Sequence, residues 1–213
     1  MARYLDRLPL GAKVGVRGPK QEFDLKAGKE GKEEVGEVVF LAGGTGIAAG
    51  LQVAYALMGN GEGGWDGPMR ILWANRQEQE AVGGVSRWSG NKGWLGTGGK
   101  SAAKVEREGG EMNLIVQEIK ELERKSAGRI KVDYLFDDQG VFIDSGKIRQ
   151  VCEELRSVGR EEGKRRVLMV CGSEGFVEYL AGPKGIVGGK VVQGVVAGEI
   201  GKAGWKGWEV VKL

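Results

Sequence analysis

One stretch, Val38 to Gln52, constrains this chain more than any other. It reads Val-Val-Phe-Leu-Ala-Gly-Gly-Thr-Gly-Ile-Ala-Ala-Gly-Leu-Gln. An apolar, β-branched run enters a glycine turn, and an apolar segment with helical spacing leaves it. That pattern predicts a buried strand, a tight turn and a helix start. Gly43, Gly44 and Gly46 remove the Cβ atoms that hold another molecule away. The backbone N–H groups at the helix start can then meet an anion such as a phosphate. The spacing is neither Gly-x-Gly-x-x-Gly nor a phosphate loop ending in Lys-Ser/Thr. Taken alone, the turn is equally a tight bend in an α/β domain.

Composition removes several alternatives. The chain of 213 residues contains no histidine. A Ser-His-Asp triad, a histidine general base and a His-ligated zinc site are therefore excluded. Two cysteines, Cys152 and Cys171, are too few for a disulfide framework or a four-cysteine metal site. The net charge of +3 balances 32 basic against 29 acidic residues, which gives no case for nucleic acid. No apolar run approaches the ~20 residues of a membrane span.

Met1 to Leu8 has helical spacing, and Lys13 to Pro19 alternates like an edge strand before a Gly-Pro turn. Residues 1–19 read as the end of a preceding β-rich domain, and residues 20–36 as a polar linker. From residue 37 strands and helices alternate. Strands are expected at Glu37–Ala42, Met69–Asn75, Arg129–Phe136 and Arg166–Cys171. Helices are expected at Ile47–Met58, Met112–Lys125 and Ser145–Ser157. The second helix should bury Leu114, Ile115, Ile119 and Leu122, and Ser145 should cap the third. Continuous apolar strands between helices predict a doubly wound parallel sheet covered on both faces. Residues 81–110 interrupt the pattern with a glycine-rich insertion carrying Trp88 and Trp94. It reads as a surface insertion or as a loop that docks a partner.

Ligands of such sheets lie at the carboxyl ends of the strands. The first strand ends in Gly43-Gly44-Thr45-Gly46, the second in Asn75-Arg76, the fourth in Cys171-Gly172-Ser173 followed by Phe176. Each has a plainer reading, as a turn, a surface arginine or a buried thiol. Together on one rim, they offer small residues, a polar and cationic pair, and a soft contact for a planar ring. With no histidine to activate it, Cys171 has no sequence support as a thiolate nucleophile.

That order of segments resembles the nucleotide-binding domain of the ferredoxin–NADP reductase superfamily, and especially its cytochrome b5 reductase branch. Leu41–Ala48 looks like the family's Gly-Gly-Thr-Gly-Ile turn, Leu72–Arg76 like the segment meeting the adenosine half, and Val170–Phe176 like the segment beside the nicotinamide. Met1–Leu5 resembles the end of the family's flavin barrel. The resemblance implies a five-stranded NAD(P)-binding domain over 37–213. It implies NADH or NADPH against Gly43, Gly44, Thr45, Gly46, Asn75, Arg76, Cys171, Gly172, Ser173 and Phe176. Met1 and Ala2 would lie at an FAD held mainly by an upstream barrel. Thr45 and Cys171 would sit nearest the hydride transfer. Departures stand at Ala49, Ser173, Ala2 and Leu213.

The tail, Cys171–Lys184 with Gln193-Gly194 and Val211–Leu213, is similar to fungal mitochondrial flavoproteins of the cytochrome c import factor type. This implies electron flow towards cytochrome c haem attachment, and a mitochondrial protein joined to the inner membrane through an upstream segment. A cytoplasmic protein is the alternative. A second reading keeps the fold but makes the chain a non-catalytic assembly subunit that docks a partner through Trp88 and Trp94.

Overall fold

The computed structural model describes residues 9, 12–13, 34–59, 65–88, 112–158 and 163–213. Almost all of segment 1–19, Met1 and Ala2 included, lies outside them. So do most of 20–36 and the insertion from 89 to 110, with Trp94.

Five parallel strands form one sheet: β1 (Val35–Gly43), β2 (Met69–Asn75), β3 (Ile130–Phe136), β4 (Arg165–Cys171) and, after a small hairpin described below, β7 (Glu209–Lys212). Their order is β3-β2-β1-β4-β7. The chain builds outward from β1 to β3, then returns to place β4 on the other side of β1. The sheet's switch point therefore lies between β1 and β4, where a crevice opens at the carboxyl ends. The doubly wound sheet expected from the sequence is the sheet found.

β1 is central, and eight of its nine residues are buried. Its alternate side chains enter opposite layers, as strand geometry requires. Val38, Phe40 and Ala42 pack with α1 (Ile47–Met58) and α2 (Leu114–Lys125). Val39 and Leu41 pack with α3 (Ser145–Val158), α4 (Glu174–Ala181) and α5 (Gly198–Ala203). Phe40 is wholly buried, a placement worth about 1.5–3 kcal/mol.

Two local expectations need correction. α2 begins at Leu114 because the Asn113 side chain accepts from the Ile115 N–H at 2.9 Å. That cap fixes where the helix starts. Val116, Ile119 and Leu122 turn inward, while Leu114 and Ile115 are exposed. α3 is capped by Asp144, whose Oδ1 accepts from the Lys147 N–H at 2.8 Å. Ser145 is already helical, and its N–H donates to Glu199.

After α4 the chain forms a two-stranded antiparallel hairpin, β5 (Gly185–Val187) and β6 (Lys190–Val192), separate from the main sheet. The sequence reading did not anticipate it.

Candidate functional site

The loops after β1 and β4 are in direct contact. A Cβ built on Gly46 would lie 2.2 Å from the Cys171 carbonyl oxygen, and one on Gly43 would lie 2.8 Å from the Phe176 ring. Only glycine permits that approach. These two glycines therefore serve loop-on-loop packing, and Gly43 does so at the edge of the space described next. Gly44 is different: a Cβ there would meet nothing within 4 Å, and its φ is +51°. Its carbonyl accepts from the Trp73 indole N–H at 2.8 Å. Trp73 thereby ties the end of β2 to the β1 turn.

A trough of about 760 Å³ opens along this rim, within the ~300–1,000 Å³ common to small-molecule sites. Gly43, Gly44, Thr45, Asn75, Arg76, Ser173 and Phe176 line it. Gly46, Cys171 and Gly172 do not; they form the packed junction behind its wall, and Gly172 faces the Phe176 ring. Cys171 is half-buried there. Ser173, which departs from the family's proline, caps α4: its side chain accepts from the Phe176 N–H at 3.4 Å.

The trough also gathers residues that the sequence did not single out. Phe142 and Tyr179 line it and are half exposed, and Ile115 joins them. The misphased helix position thus becomes part of a wall. At the β2–β3 end stand Glu80 and Asp137. The Glu80 carboxylate accepts from the Arg76 backbone N–H at 3.1 Å. Burial pushes the Asp137 carboxyl above its ordinary value; Arg76 opposes the rise, and Glu80 and Asp138 add to it. Asn75 is 2% exposed; its amide N–H donates to the Trp73 carbonyl at 3.3 Å, and its Oδ1 has no hydrogen-bond partner among the described residues. A buried acceptor in that state needs an explanation.

Trp88 is not displayed for a partner. It packs on the layer containing Ile143, with the Arg87 guanidinium 4.5 Å and the Lys147 ammonium 5.6 Å from its ring centroid. Arg87 is held in turn by Asp133 at 2.9 Å and Glu154 at 3.0 Å.

Sheet order and the switch-point crevice define a doubly wound α/β fold with a five-stranded parallel sheet. A particular solved structure shares it: the cytochrome b5 reductase domain of Ulva prolifera nitrate reductase, with a TM-score of 0.58 and 19% identity over all of this chain and 64% of that one. Two curated proteins match shorter segments. Nitrate reductase [NADH] of Petunia hybrida is 36% identical over 87 residues, and nitrate reductase [NADH] 2 of Nicotiana tabacum is 35% identical over 88. Each match covers 38% of this chain and 9% of the relative. No family model matches.

Proposed function

We propose that the trough binds NADH and that this chain is the pyridine-nucleotide half of an FAD-dependent oxidoreductase. The observation that carries the reading is the meeting of three sequence-distant loops in one trough at the switch point. The apolar and aromatic walls, Trp73, Phe142, Phe176 and Tyr179 among them, suit two planar rings. Gly44 and Thr45 border the middle of the trough. Asn75 and Arg76 border the adenosine side, with Arg76 the exposed one of the two. Glu80 and Asp137 favour NADH over NADPH, because a 2′-phosphate would face two carboxylates.

When bound, the nucleotide supplies a hydride and the flavin a ring to receive it. The chain's own residues bind, orient and exclude water, with no acid or base required of them. Thr45 acts as a positioning group beside the nicotinamide, and Cys171 supports it from the junction behind the wall. The similar proteins, a cytochrome b5 reductase domain and NADH-dependent nitrate reductases, support this chemistry. The tail segments Cys171–Lys184 and Val211–Leu213 support a finer version, in which electrons pass to a haem protein during cytochrome c haem attachment in mitochondria.

Thr45→Trp tests the site. Thr45 is exposed in the trough and has no packing role behind it. Calorimetric titration should show NADH binding to the parent chain, and its loss in the variant with the far-ultraviolet spectrum unchanged. Undiminished binding in Thr45→Trp would remove the trough as the nucleotide site.

A further inference from the structure

The β5–β6 hairpin is held out from the sheet by a built anchor. Lys212, the last residue of β7, is 1% exposed. Its ammonium donates to the Pro183 and Val195 carbonyls, each at 2.9 Å. Those carbonyls flank the hairpin, so one buried cation ties both of its legs. The Gln193 side chain pairs with the β7 edge: its oxygen accepts from the Lys212 N–H at 2.6 Å, and its amide donates to the Lys212 carbonyl at 3.1 Å. A glutamine thus closes the open strand edge as a neighbouring strand would.

What this anchor presents is largely aliphatic: each face carries exposed aliphatic side chains, and Lys190 stands at the register position opposite Val187. Ile186 pairs with Val191, so the two share one face of the ribbon. They are 75% and 68% exposed. Val187 and Val192 lie on the other face and are 67% and 39% exposed. Val195, just beyond, is 82% exposed. Gly188 and Gly189, both with positive φ, make the tight turn at the tip. Between Glu178 and Glu199 the sequence has no acidic residue, and its only charges are Lys184 and Lys190.

We propose that the hairpin docks this protein peripherally on an anionic lipid surface. A protein partner laid flat on the ribbon covers one face and leaves the other wet. A bilayer interface surrounds the ribbon and takes up both. The exposed Lys184 meets anionic headgroups, and a long cationic side chain can reach them from beside buried aliphatic groups. Insertion is shallow, because the free backbone edges of two short strands are not tolerated in hydrocarbon. Among the described residues no helix is long and apolar enough to cross a membrane, so the hairpin is a surface contact and not a span.

The test is co-sedimentation of the whole chain with vesicles of phosphatidylcholine alone and of phosphatidylcholine mixed with phosphatidylglycerol. The chain should bind the mixed vesicles and release them in high salt. Ile186→Asp/Val187→Asp should weaken binding at least tenfold. Val85→Asp, at an exposed valine elsewhere, should not weaken it. Thermal unfolding of all three proteins separates a lost contact from a lost fold. A chain that stays in the supernatant with mixed vesicles overturns the proposal. Equal binding by the double variant, or self-association through the hairpin without vesicle binding, overturns it too.

Discussion

The two ends of the parallel sheet each carry a cavity, and the cavities differ in how their polar groups are answered. At the amino end a cavity of about 450 Å³ is lined largely by charged residues. Most of those charges pair within the protein: Arg166 with Glu37 at 2.8 Å, Lys164 with Asp66 at 3.1 Å, Arg70 with Glu154 at 2.8 Å. Arg129 donates to the Trp65 carbonyl. At the carboxyl end the trough has glycines at its back, aromatic rings half in water and a buried amide oxygen without a partner. The amino cavity is a finished joint between strands and loops. The trough leaves aromatic and aliphatic side chains open to solvent. Volume alone does not distinguish a joint from a site; the state of the lining does.

The sharpest way to break this comparison is to damage each end separately. Arg166→Ala leaves Glu37, 5% exposed, as a buried carboxylate without its cation. Stripping one partner from a buried pair costs about 3 kcal/mol. Thermal unfolding should register that loss while the NADH dissociation constant stays the same. A changed dissociation constant would mean that the two ends are coupled. Gly46→Ala attacks the other end, where the new methyl would meet the Cys171 carbonyl. Overpacking costs about 1–3 kcal/mol. Here the drop in stability should come with NADH binding weakened more than tenfold, because the loops it forces apart form the trough's back wall. A variant that loses stability but binds NADH normally would detach the β1–β4 junction from function.

How much of this could be read beforehand follows from geometry. In a parallel sheet every strand delivers its last residues to one rim, so Gly43–Gly46, Asn75-Arg76 and Cys171–Phe176 could be gathered without knowing strand order. The purpose of each glycine could not. Gly46 faces Cys171 only because β4 returns beside β1, a non-local fact. Glu80 and Asp137 were invisible for another reason. Acidic residues after a strand or in a short turn are solvated by default, and only the approach of β2 and β3 puts both beside Arg76. The hairpin escaped because Gly-Ile-Val-Gly-Gly-Lys-Val-Val is too short and glycine-rich to show a strand period. Leu114 and Ile115 stand in the first turn of α2 at the edge of its apolar stripe, and which edge is buried depends on how the helix packs against the sheet.

Within the trough, a smaller effect separates its acidic end from its apolar walls. Asp137→Asn removes one of the two carboxylates beside Arg76. The preference for NADH over NADPH should fall about tenfold, equivalent to ~1.4 kcal/mol. Phe142→Leu, which alters a wall of the same trough, should weaken both nucleotides alike. If Asp137→Asn changes both equally, the carboxylate contributes to general binding and not to selection.

The smallest expected effect is a dependence on pH, and its sign follows from the charge that the ligand requires. With NADH bound as proposed, Asp137 would accept hydrogen bonds from ribose hydroxyls as a carboxylate. Burial, the largest influence, places its pKa above the ordinary 3.8, with Arg76 pulling down and Glu80 and Asp138 pushing up. A ligand that prefers the ionised form binds with constant affinity above that raised pKa. Its affinity falls as acid protonates the group, by at most about one decade per pH unit. ADP-ribose, which retains the adenosine ribose and lacks the acid-labile reduced nicotinamide, is the suitable probe. Its affinity should decline on acidification at a pH above the ordinary aspartate range, and Asp137→Asn should flatten the decline. The amino-end pair supplies the contrast, because Arg166→Ala should leave the profile intact. A profile that keeps its slope in Asp137→Asn would move the acid-sensitive contact to another group on the rim.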